Sequence, residues 1–424
     1  MNKPLQMPMF KPETEWVPPT HLPDLKEHKE IAIDLETRDP NLTTMGSGSV
    51  RRDGEVIGIA VAVEGWSGYF PINHEGGGNM DRALVLDWFE EVLHTDATKI
   101  FHNAMYDVSW IRSMGFQIRG GIIDTMIAAS LCNENRWSYT LDSVAKEYIG
   151  MGKNEKLLQE AAKSWGINPK SEMWRLPAPL VGEYAEQDAV VTLKLWTAMK
   201  HELSKQDLWD VFNLETNLFP CLVDMKFKGV RVDVVKAEET KKSLAITEKD
   251  MHRDIQKLAG FEVEIWAAAS IAKAFDKVKL PYDRTEKGAP SFTKNFLATH
   301  PHELPKLINQ AREINKANTT FIETILKHEY KGRIHSDINQ IRSDDGGTVT
   351  GRFSYSNPNL QQIPARHKEL GPLIRSLFIP ETGTKWGCFD YSQQEPRILV
   401  HFASLLRLEG TQTIVDGYNS GDAD

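Results

Sequence analysis

Hydrophobic and polar positions alternate in short stretches over the first 130 residues. An alternation of period two is typical of strands, and apolar residues spaced by three or four are typical of helices. The strand-like stretches are 30–37, 55–63, 68–72 and 98–103, and the helical stretches are 82–94 and 104–114. Strands that interleave with helices predict an α/β layer fold for this part of the chain.

The pattern becomes mainly helical further along. A long amphipathic helix is predicted over 179–203, and the texture changes near residue 210, where a turn at Gly229 precedes a short strand. A long charged helix over 234–258 and further helices to about 330 follow. After a polar loop, a short apolar strand is predicted to end at Asp390, with a helix behind it. We place the domain boundary at about 208.

The composition is that of a globular protein. A chain of 424 residues with 41% hydrophobic side chains is expected to hold two or three domains. No apolar run approaches the roughly 20 residues of a membrane helix, and the Pro-rich residues 1–28 read as an extended leader. Cys132, Cys221 and Cys388 are too far apart for a zinc pattern or a disulfide framework, which favours the reducing cytoplasm.

The negative charge is confined to the first half of the chain. Residues 1–208 carry 21 basic and 30 acidic side chains, a net charge of −9, whereas residues 209–424 carry 29 of each, a net charge of zero. Helical segments of the second half have a mild basic bias, which suits a surface that follows phosphates. A solvated helix face explains that bias equally well.

Acidic side chains mark a candidate metal site in the first half. Asp34 and Glu36 alternate on the first strand, so both point to the same side. Asp107 falls on the first turns of a helix that follows a strand, while Tyr184 and Asp188 are four apart and share one helix face. Each element alone is explained as well by solvated or half-buried surface, but buried acids close together require a positive partner such as a divalent metal.

In this order, the elements resemble the three motifs of the DEDD-type 3′→5′ exonucleases, in the subgroup with tyrosine that is found in proofreading domains. The resemblance covers about 29–205. It implies a ribonuclease H-like α/β fold, a mixed sheet flanked by helices, and two Mg²⁺ or Mn²⁺ ions ~3.5–4 Å apart. The ligands that it implies are Asp34, Glu36, Asp107 and Asp188, and Tyr184 orients the attacking water. We interpret Asp124 as structural.

A second group of motifs lies near the end of the chain. By composition, "TVTGRFSYSNPNLQQIP" (348–364) is only a polar loop, but "WGCFDYSQQEPRILVHFAS" (386–404) follows it. Together they resemble the central region of family A DNA polymerases, and the second stretch resembles the first catalytic motif of their palm. "FKGVRVD", "TEKGAPSF" and "AREINKANTTF" are also similar to that family's palm and thumb. The resemblance extends over nearly all of 29–424.

The polymerase resemblance implies roles for individual residues. Asp390 binds catalytic metal, with help from the carbonyl group of Tyr391. The nucleotide-binding residues that it implies are Tyr391, Gln393 and Glu395, of which Glu395 excludes a ribose 2′-hydroxyl. The residues implied in gripping primer and template DNA are Arg352, Asn359 and Gln361.

Two departures from the family pattern stand out. Gln394 and Pro396 replace apolar residues beside Glu395, although proline is tolerated in a first helical turn. The family's second palm aspartate and its fingers helix have no counterpart among these residues, and one aspartate cannot hold both ions of a phosphoryl transfer. We therefore expect the rest of the fingers and palm to come from a second chain or segment, and the sequence leaves a split gene, an interrupted reading frame and a fragment equally open.

The predicted organisation follows from the two resemblances. The leader 1–28 precedes an exonuclease domain, 29–208, and a partial polymerase domain, 209–424. Within the polymerase domain, residues 209–233 form the approach to the palm and residues 234–340 form a mainly helical thumb. Residues 341–424 form an incomplete α+β palm. We expect no 5′-nuclease module ahead of the exonuclease domain, and in this respect the chain resembles the phage branch of the polymerase family, whose members act in the host cytoplasm.

The predicted function is that of a family A replicative DNA polymerase with a 3′→5′ proofreading exonuclease. Its expected partners are primer–template DNA, single-stranded 3′ ends and deoxynucleoside triphosphates, with no membrane. Two alternatives stay open. One is a free-standing exonuclease that acts on DNA or RNA ends, and the other is a DNA-binding subunit whose acids are structural.

Overall fold

The computed structural model describes residues 13–344, 346–365 and 367–421. The chain divides into two compact units, one that ends at Phe378 and one that begins at Ile379. Among the described residues, none of the helices combines the length and the apolar character that a membrane span requires.

A mixed five-stranded sheet forms the centre of the first half of the larger unit. Its strands are β1 Glu30–Arg38, β2 Glu55–Val63, β3 Trp66–Pro71, β4 Thr98–Phe101 and β5 Ile122–Asp124. Their order across the sheet is β3-β2-β1-β4-β5. β2 runs antiparallel to β1 and β3, and β4 runs parallel to β1 and β5. The predicted mixed α/β architecture is thus confirmed for this region.

Helices cover both faces of the sheet. The helices of this region are α1 Leu42–Met45, α2 Arg82–Leu93, α3 Ala104–Ser113, α4 Thr125–Cys132, α5 Leu141–Ile149, α6 Lys156–Trp165 and α7 Pro179–Lys205, with a 3₁₀ turn at Met173–Arg175. The alternation along β1 sends Ile31, Ile33 and Leu35 into a core with α2 and α3. Ala32 points to the opposite face, into a core with α7. Asp34 and Glu36 have the same parity as Ala32, so β1 presents them on the α7 face.

The helix that follows α7 packs into both hydrophobic cores of the sheet. Helix α8 Trp209–Lys228 sends Phe212 into the core under α7 and Phe219 into the core on the other face of the sheet. The Phe212 ring stacks on Trp196 with centroids 5.5 Å apart. The boundary predicted at about 208 falls between α7 and α8, and the domain ranges stay a prediction.

The rest of the larger unit is mainly helical, as its spacing predicts. Its helices are α9 Val234–Ala259, α10 Ala268–Lys277, α11 Lys294–Thr299, α12 Glu303–Lys316, a π-helical turn Ala317–Ile322, α13 Glu323–His328, a 3₁₀ turn Leu360–Gln362 and α14 Leu370–Arg375. Its short strands are β6 Val230–Arg231, β7 Asp283–Arg284, β8 Pro290–Ser291, β9 Glu329–Tyr330, β10 Arg333–Ile334, β11 Asp337–Asn339 and β12 Ser354–Ser356. Two further hydrophobic cores lie under α9 and α12.

The smaller unit contains α15 Gln394–Leu405 and α16 Thr411–Ser420. The prediction that a strand delivers Asp390 is wrong, because the described residues from 385 to 390 adopt no regular structure. A strand is stable only where a neighbouring strand pairs with its backbone, and this segment belongs to none of the sheets formed by the described residues. The predicted helix start is confirmed, with Pro396 in the first turn of α15.

Candidate exonuclease centre and polymerase segment

Three acidic side chains from two elements meet on the α7 face of the sheet. Asp34 and Glu36 are two apart on β1 and so project together, and Asp188 comes from α7 above them. One carboxylate oxygen from each of the three lies within 4.8 Å of one from the other two. Glu36 and Asp188 are buried and Asp34 is half-buried. The structure thus joins residues that are more than 150 positions apart in the sequence.

Asp107 reaches the same strand from α3. Its side chain is buried in the first turn of that helix, and its Oδ1 accepts a hydrogen bond of 3.1 Å from the backbone N–H of Leu35, between the two β1 acids. The helix can begin at this point because Asn103 adopts a left-handed conformation, with φ of 68°, which asparagine tolerates. The position predicted for Asp107, on the first turns of the helix, is confirmed.

Asp124 fixes the start of that helix from the end of β5. Its carboxylate accepts backbone hydrogen bonds from Asn103 at 3.0 Å and from Ala104 at 2.8 Å, and it caps α4 by accepting from Met126 at 2.8 Å. Burial raises its pKa to about 6, against the lowering effect of these hydrogen bonds. These contacts support the interpretation of Asp124 as structural.

A lysine that the sequence analysis missed completes the centre. Tyr184 and Asp188 lie one turn apart on α7, as predicted, and Lys153 enters from the loop between α5 and α6. The Lys153 ammonium pairs with Asp188 Oδ2 and donates to the Tyr184 hydroxyl at 3.2 Å. A single lysine in a loop carries no periodic signal, so the sequence offered no means to find it.

The pKa values of the acids show how strongly they are crowded. Burial, together with the charge of Asp188, raises the pKa of Asp34 to about 7, and Lys153 opposes the rise. Burial also raises the pKa of Glu36 and Asp107 well above the usual range, in both cases with a contribution from Asp34. The pKa of Asp188 is raised by burial despite its contacts with Lys153 and Tyr184. Several ionised carboxylates in one buried place need a cation.

The donor set fits a hard divalent cation. Carboxylate oxygens are the ligands that Mg²⁺ and Mn²⁺ prefer. Among the described residues, Asp188 Oδ1 is buried and has no hydrogen-bond partner, so it retains the capacity to bind a cation.

A buried tyrosine and a buried histidine lie near the acids, and the tyrosine belongs to the core on the α7 face of the sheet. The hydroxyl of Tyr69 on β3 hydrogen-bonds His74 Nε2 at 2.7 Å, and His74 Nδ1 contacts the carbonyl oxygen of Leu176 at 3.1 Å. Burial lowers the pKa of His74 to about 4, so the ring is neutral. A carbonyl oxygen only accepts, so Nδ1 carries the ring proton and the Tyr69 hydroxyl donates to Nε2.

The residues predicted to grip DNA lie in the polar segment 348–364, which contains strand β12 and a 3₁₀ turn. Asn359 accepts from the backbone N–H of Gln361 at 3.0 Å, and the Gln361 side chain donates to the carbonyl oxygen of Phe353 at 3.0 Å. Arg352, Asn359 and Gln361 are all exposed, so this segment presents them to solvent.

The predicted nucleotide-binding residues lie in the smaller unit. Asp390, Tyr391, Gln393 and Glu395 are exposed, and Glu395 occupies the first turn of α15. Gln393 adopts a left-handed conformation with φ of 49° and accepts from the Tyr418 hydroxyl of α16 at 3.3 Å. Asp390 does not belong to any cluster of three or more potential ligands within the described part of the chain.

The chain matches two protein families, one in each half of its sequence. Residues 20–204 match the family described as 3′-5′ exonuclease. Residues 234–410, which include Asp390, match DNA polymerase family A. The first match contains all of the acids of the candidate centre, and the second contains the loop with Arg352.

Several DNA polymerases are similar to this chain. The DNA-directed DNA polymerase of Pseudomonas phage M6 is 36% identical over 95% of the chain, which spans 63% of that protein. The DNA polymerase DpoZ of Salmonella phage PMBT28 is 31% identical over 93% of the chain, which spans 64% of that protein. DNA polymerase I of Pseudomonas aeruginosa is 30% identical over 90% of the chain, which spans 42% of it. The chain thus spans less than two thirds of the length of these relatives.

A solved structure shares the fold. The POL domain of Pol1 from M. smegmatis, determined in complex with DNA primer-template and dNTP, superposes with a TM-score of 0.68 at 21% sequence identity. The match covers 93% of this chain and 62% of that one.

Proposed function

We propose that this chain, which matches DNA polymerase family A over residues 234–410 and a 3′-5′ exonuclease family over residues 20–204, removes mispaired nucleotides from the 3′ end of a DNA primer. The observation that carries the proposal is the cluster of Asp34, Glu36 and Asp188, whose oxygens lie within 4.8 Å of one another on a buried face. The predicted ribonuclease H-like class is supported by the strand order β3-β2-β1-β4-β5.

We assign distinct roles to the residues of the centre. Asp34, Glu36, Asp107 and Asp188 would hold the metal, and a pair of divalent cations there would supply the charge that activates a water and stabilises the departing 3′ oxygen. The Lys153 ammonium contacts both Tyr184 and Asp188, and the Tyr184 hydroxyl orients the attacking water. We propose Mg²⁺ as the ion used, with Mn²⁺ as a substitute.

The polymerase activity is a second part of the proposal. The match to family A over residues 234–410 supports a role for Asp390 and the Tyr391 carbonyl in metal binding and for Gln393 and Glu395 in nucleotide binding. Arg352, Asn359 and Gln361 are exposed in the segment 348–364, where they suit contact with the primer–template. Asp390 belongs to no group of three or more potential ligands among the described residues, and we propose that a second chain or segment supplies the fingers and the other palm aspartate.

The expected substrates are primer–template DNA, single-stranded 3′ ends and deoxynucleoside triphosphates. The similarity of this chain to phage DNA polymerases supports the proposal that it acts in the cytoplasm of an infected host.

A primer–template with a labelled, mismatched 3′ end tests the proposal. With Mg²⁺ and all four deoxynucleotides, we expect the pure chain to shorten the primer, and Glu36→Ala and Asp188→Ala to abolish shortening. The control is Glu183→Ala, an exposed acid on the same helix, which is expected to leave the rate within twofold. Shortening that survives Glu36→Ala would remove the metal centre that we propose.

The same assay separates the remaining functions. Primer extension by the chain alone would contradict the proposal that a second chain or segment completes the palm. Equal shortening of RNA ends would favour the free-standing exonuclease. Binding of DNA without any shortening would favour a structural role for the acids.

A further inference from the structure

We propose that Lys153 is a built-in counter-cation of the exonuclease centre, which competes with the divalent metal for Asp188 and so sets the affinity of the site for metal. The inference rests on the proposed metal centre. It assigns a positioning role to a residue outside the exonuclease motifs described above.

The loop that carries Lys153 is fastened to the elements around the centre. The Lys153 backbone N–H donates to Asp142 Oδ1 on α5 at 2.8 Å. On the other side, Gln187, which is next to Asp188, donates to the carbonyl oxygen of Gly152 at 3.2 Å and accepts from the backbone N–H of Asn154 at 3.0 Å. These bonds hold the backbone of Lys153 against the helix that presents Asp188.

The side chain of Lys153 is directed inward. It is only 17% exposed, and its ammonium pairs with Asp188 Oδ2, donates to the Tyr184 hydroxyl at 3.2 Å and lies 5.1 Å from the centre of the Tyr184 ring. A buried ammonium is costly unless acceptors surround it. The placement therefore indicates that the negative charge of the centre holds Lys153 there.

The geometry makes the lysine and the metal competitors. Asp188 is both the partner of Lys153 and a member of the three-carboxylate cluster, and its Oδ1 has no hydrogen-bond partner among the described residues. A divalent cation bound to Asp188 is repelled by an ammonium group a few ångströms away, because electrostatic repulsion is strong where little water is present to screen it. In the metal-free protein, the same ammonium offsets the repulsion between the carboxylates.

Two effects of opposite direction follow from this arrangement. Loss of the ammonium should destabilise the metal-free protein and at the same time strengthen binding of divalent metal. If Lys153 had only a structural role, its loss would damage the site. Such damage weakens both the stability of the protein and its binding of metal, so no gain in metal affinity would be seen. Direct metal binding therefore distinguishes the two roles without any measurement of nuclease activity.

The test uses Mn²⁺ alone, titrated into the whole 424-residue chain, with free Mn²⁺ measured by electron paramagnetic resonance. We expect Lys153→Met to bind Mn²⁺ about tenfold more tightly than the wild type, since a unit charge is removed a few ångströms away. Lys156→Met removes a charge from an exposed position in the same segment and is expected to change the affinity by less than about twofold, because water and salt screen it. Lys153→Arg, which retains the charge, should bind Mn²⁺ like the wild type.

The outcomes separate the inference from the function on which it rests. Equal or weaker Mn²⁺ binding by Lys153→Met, with clear binding by the wild type, would overturn the inference and leave the metal centre intact. Failure of the wild type to bind Mn²⁺ would overturn both. If Lys153→Met does not fold, Lys153→Gln removes the same charge, retains a donor for Asp188 and carries the same expectation.

Discussion

The carboxylate of Asp107 accepts a hydrogen bond from the backbone N–H of Leu35 at 3.1 Å. The helix that carries one proposed ligand is thereby tied to the strand between two others. The bond holds a residue from α3 beside this strand, and it makes the centre depend on the packing of α3 against β1.

Asp34→Asn should stabilise the metal-free protein while it weakens metal binding. Burial and Asp188 raise the pKa of Asp34 to about 7, so its ionised form is disfavoured in the folded state. At pH 8 in EDTA, we expect the free energy of unfolding to rise by about 2–4 kcal/mol, from the size of that shift. Urea denaturation measures it. Excess Mg²⁺ should stabilise the wild type more than the variant, and a variant that is less stable in EDTA would contradict the crowding of the acids.

The stability of the metal-free protein should fall between pH 6.5 and 8. The folded protein retains the Asp34 proton up to a pKa of about 7, whereas the unfolded chain releases it near 3.8. Since the folded state binds more protons in this window, raising the pH favours unfolding, and Asp34 alone contributes about 1 kcal/mol.

The lower limit of that window is set by two histidines, the buried His74 and the half-buried His102. Burial lowers the pKa of His74 and His102 from 6.5 to about 4, so their contribution to stability rises with pH up to about 6.5 and then ends. Denaturant titrations in EDTA at several pH values measure the fall, and Asp34→Asn should reduce it. With saturating Mg²⁺, which favours the ionised acids, the fall should disappear. A rise in stability across the same window in EDTA would contradict the prediction.

Asp124→Asn should destabilise the protein and also weaken Mn²⁺ binding. The asparagine offers one acceptor oxygen in place of two, while Asn103, Ala104 and Met126 all present N–H donors to this side chain. We expect a loss of about 2–4 kcal/mol, since buried donors would lose their partners. Because α3 starts at these residues, the position of Asp107 should shift as well.

The matched control for Asp124 is Asp81→Asn. Asp81 caps α2 on the surface, and asparagine caps helices about as well as aspartate, so a change below about 1 kcal/mol is expected. Equal losses in the two variants, measured by urea denaturation, would mean that Asp124 is an ordinary cap.

Lys99→Met should destabilise the sheet without affecting the exonuclease centre. The buried Lys99 ammonium contacts the carbonyl oxygens of Ala97 at 3.0 Å and of Arg119 at 2.8 Å, as well as the carbonyl and hydroxyl oxygens of Thr95. Methionine leaves these acceptors unpaired, which costs about 2–4 kcal/mol. Thermal unfolding measures the loss, and Lys26→Met on the surface serves as the control. A loss below about 1 kcal/mol would show that water replaces the ammonium.

The elements that present the acids could be predicted from the sequence alone. The alternation of β1 and the four-residue spacing on α7 are local patterns, and each determines which way a side chain points, whatever the rest of the chain does. For the same reason, Asp34 with Glu36, and Tyr184 with Asp188, were correctly placed on shared faces.

Only the tertiary structure decided how those elements meet. The inward path of Lys153, the double cap at Asp124 and the bond from Leu35 to Asp107 all join segments that are distant in the sequence, and no local pattern encodes such contacts. The strand predicted before Asp390 failed for a related reason. An apolar stretch has a propensity for strand, but a strand forms only where another strand satisfies its backbone, and that partner is a property of the whole fold.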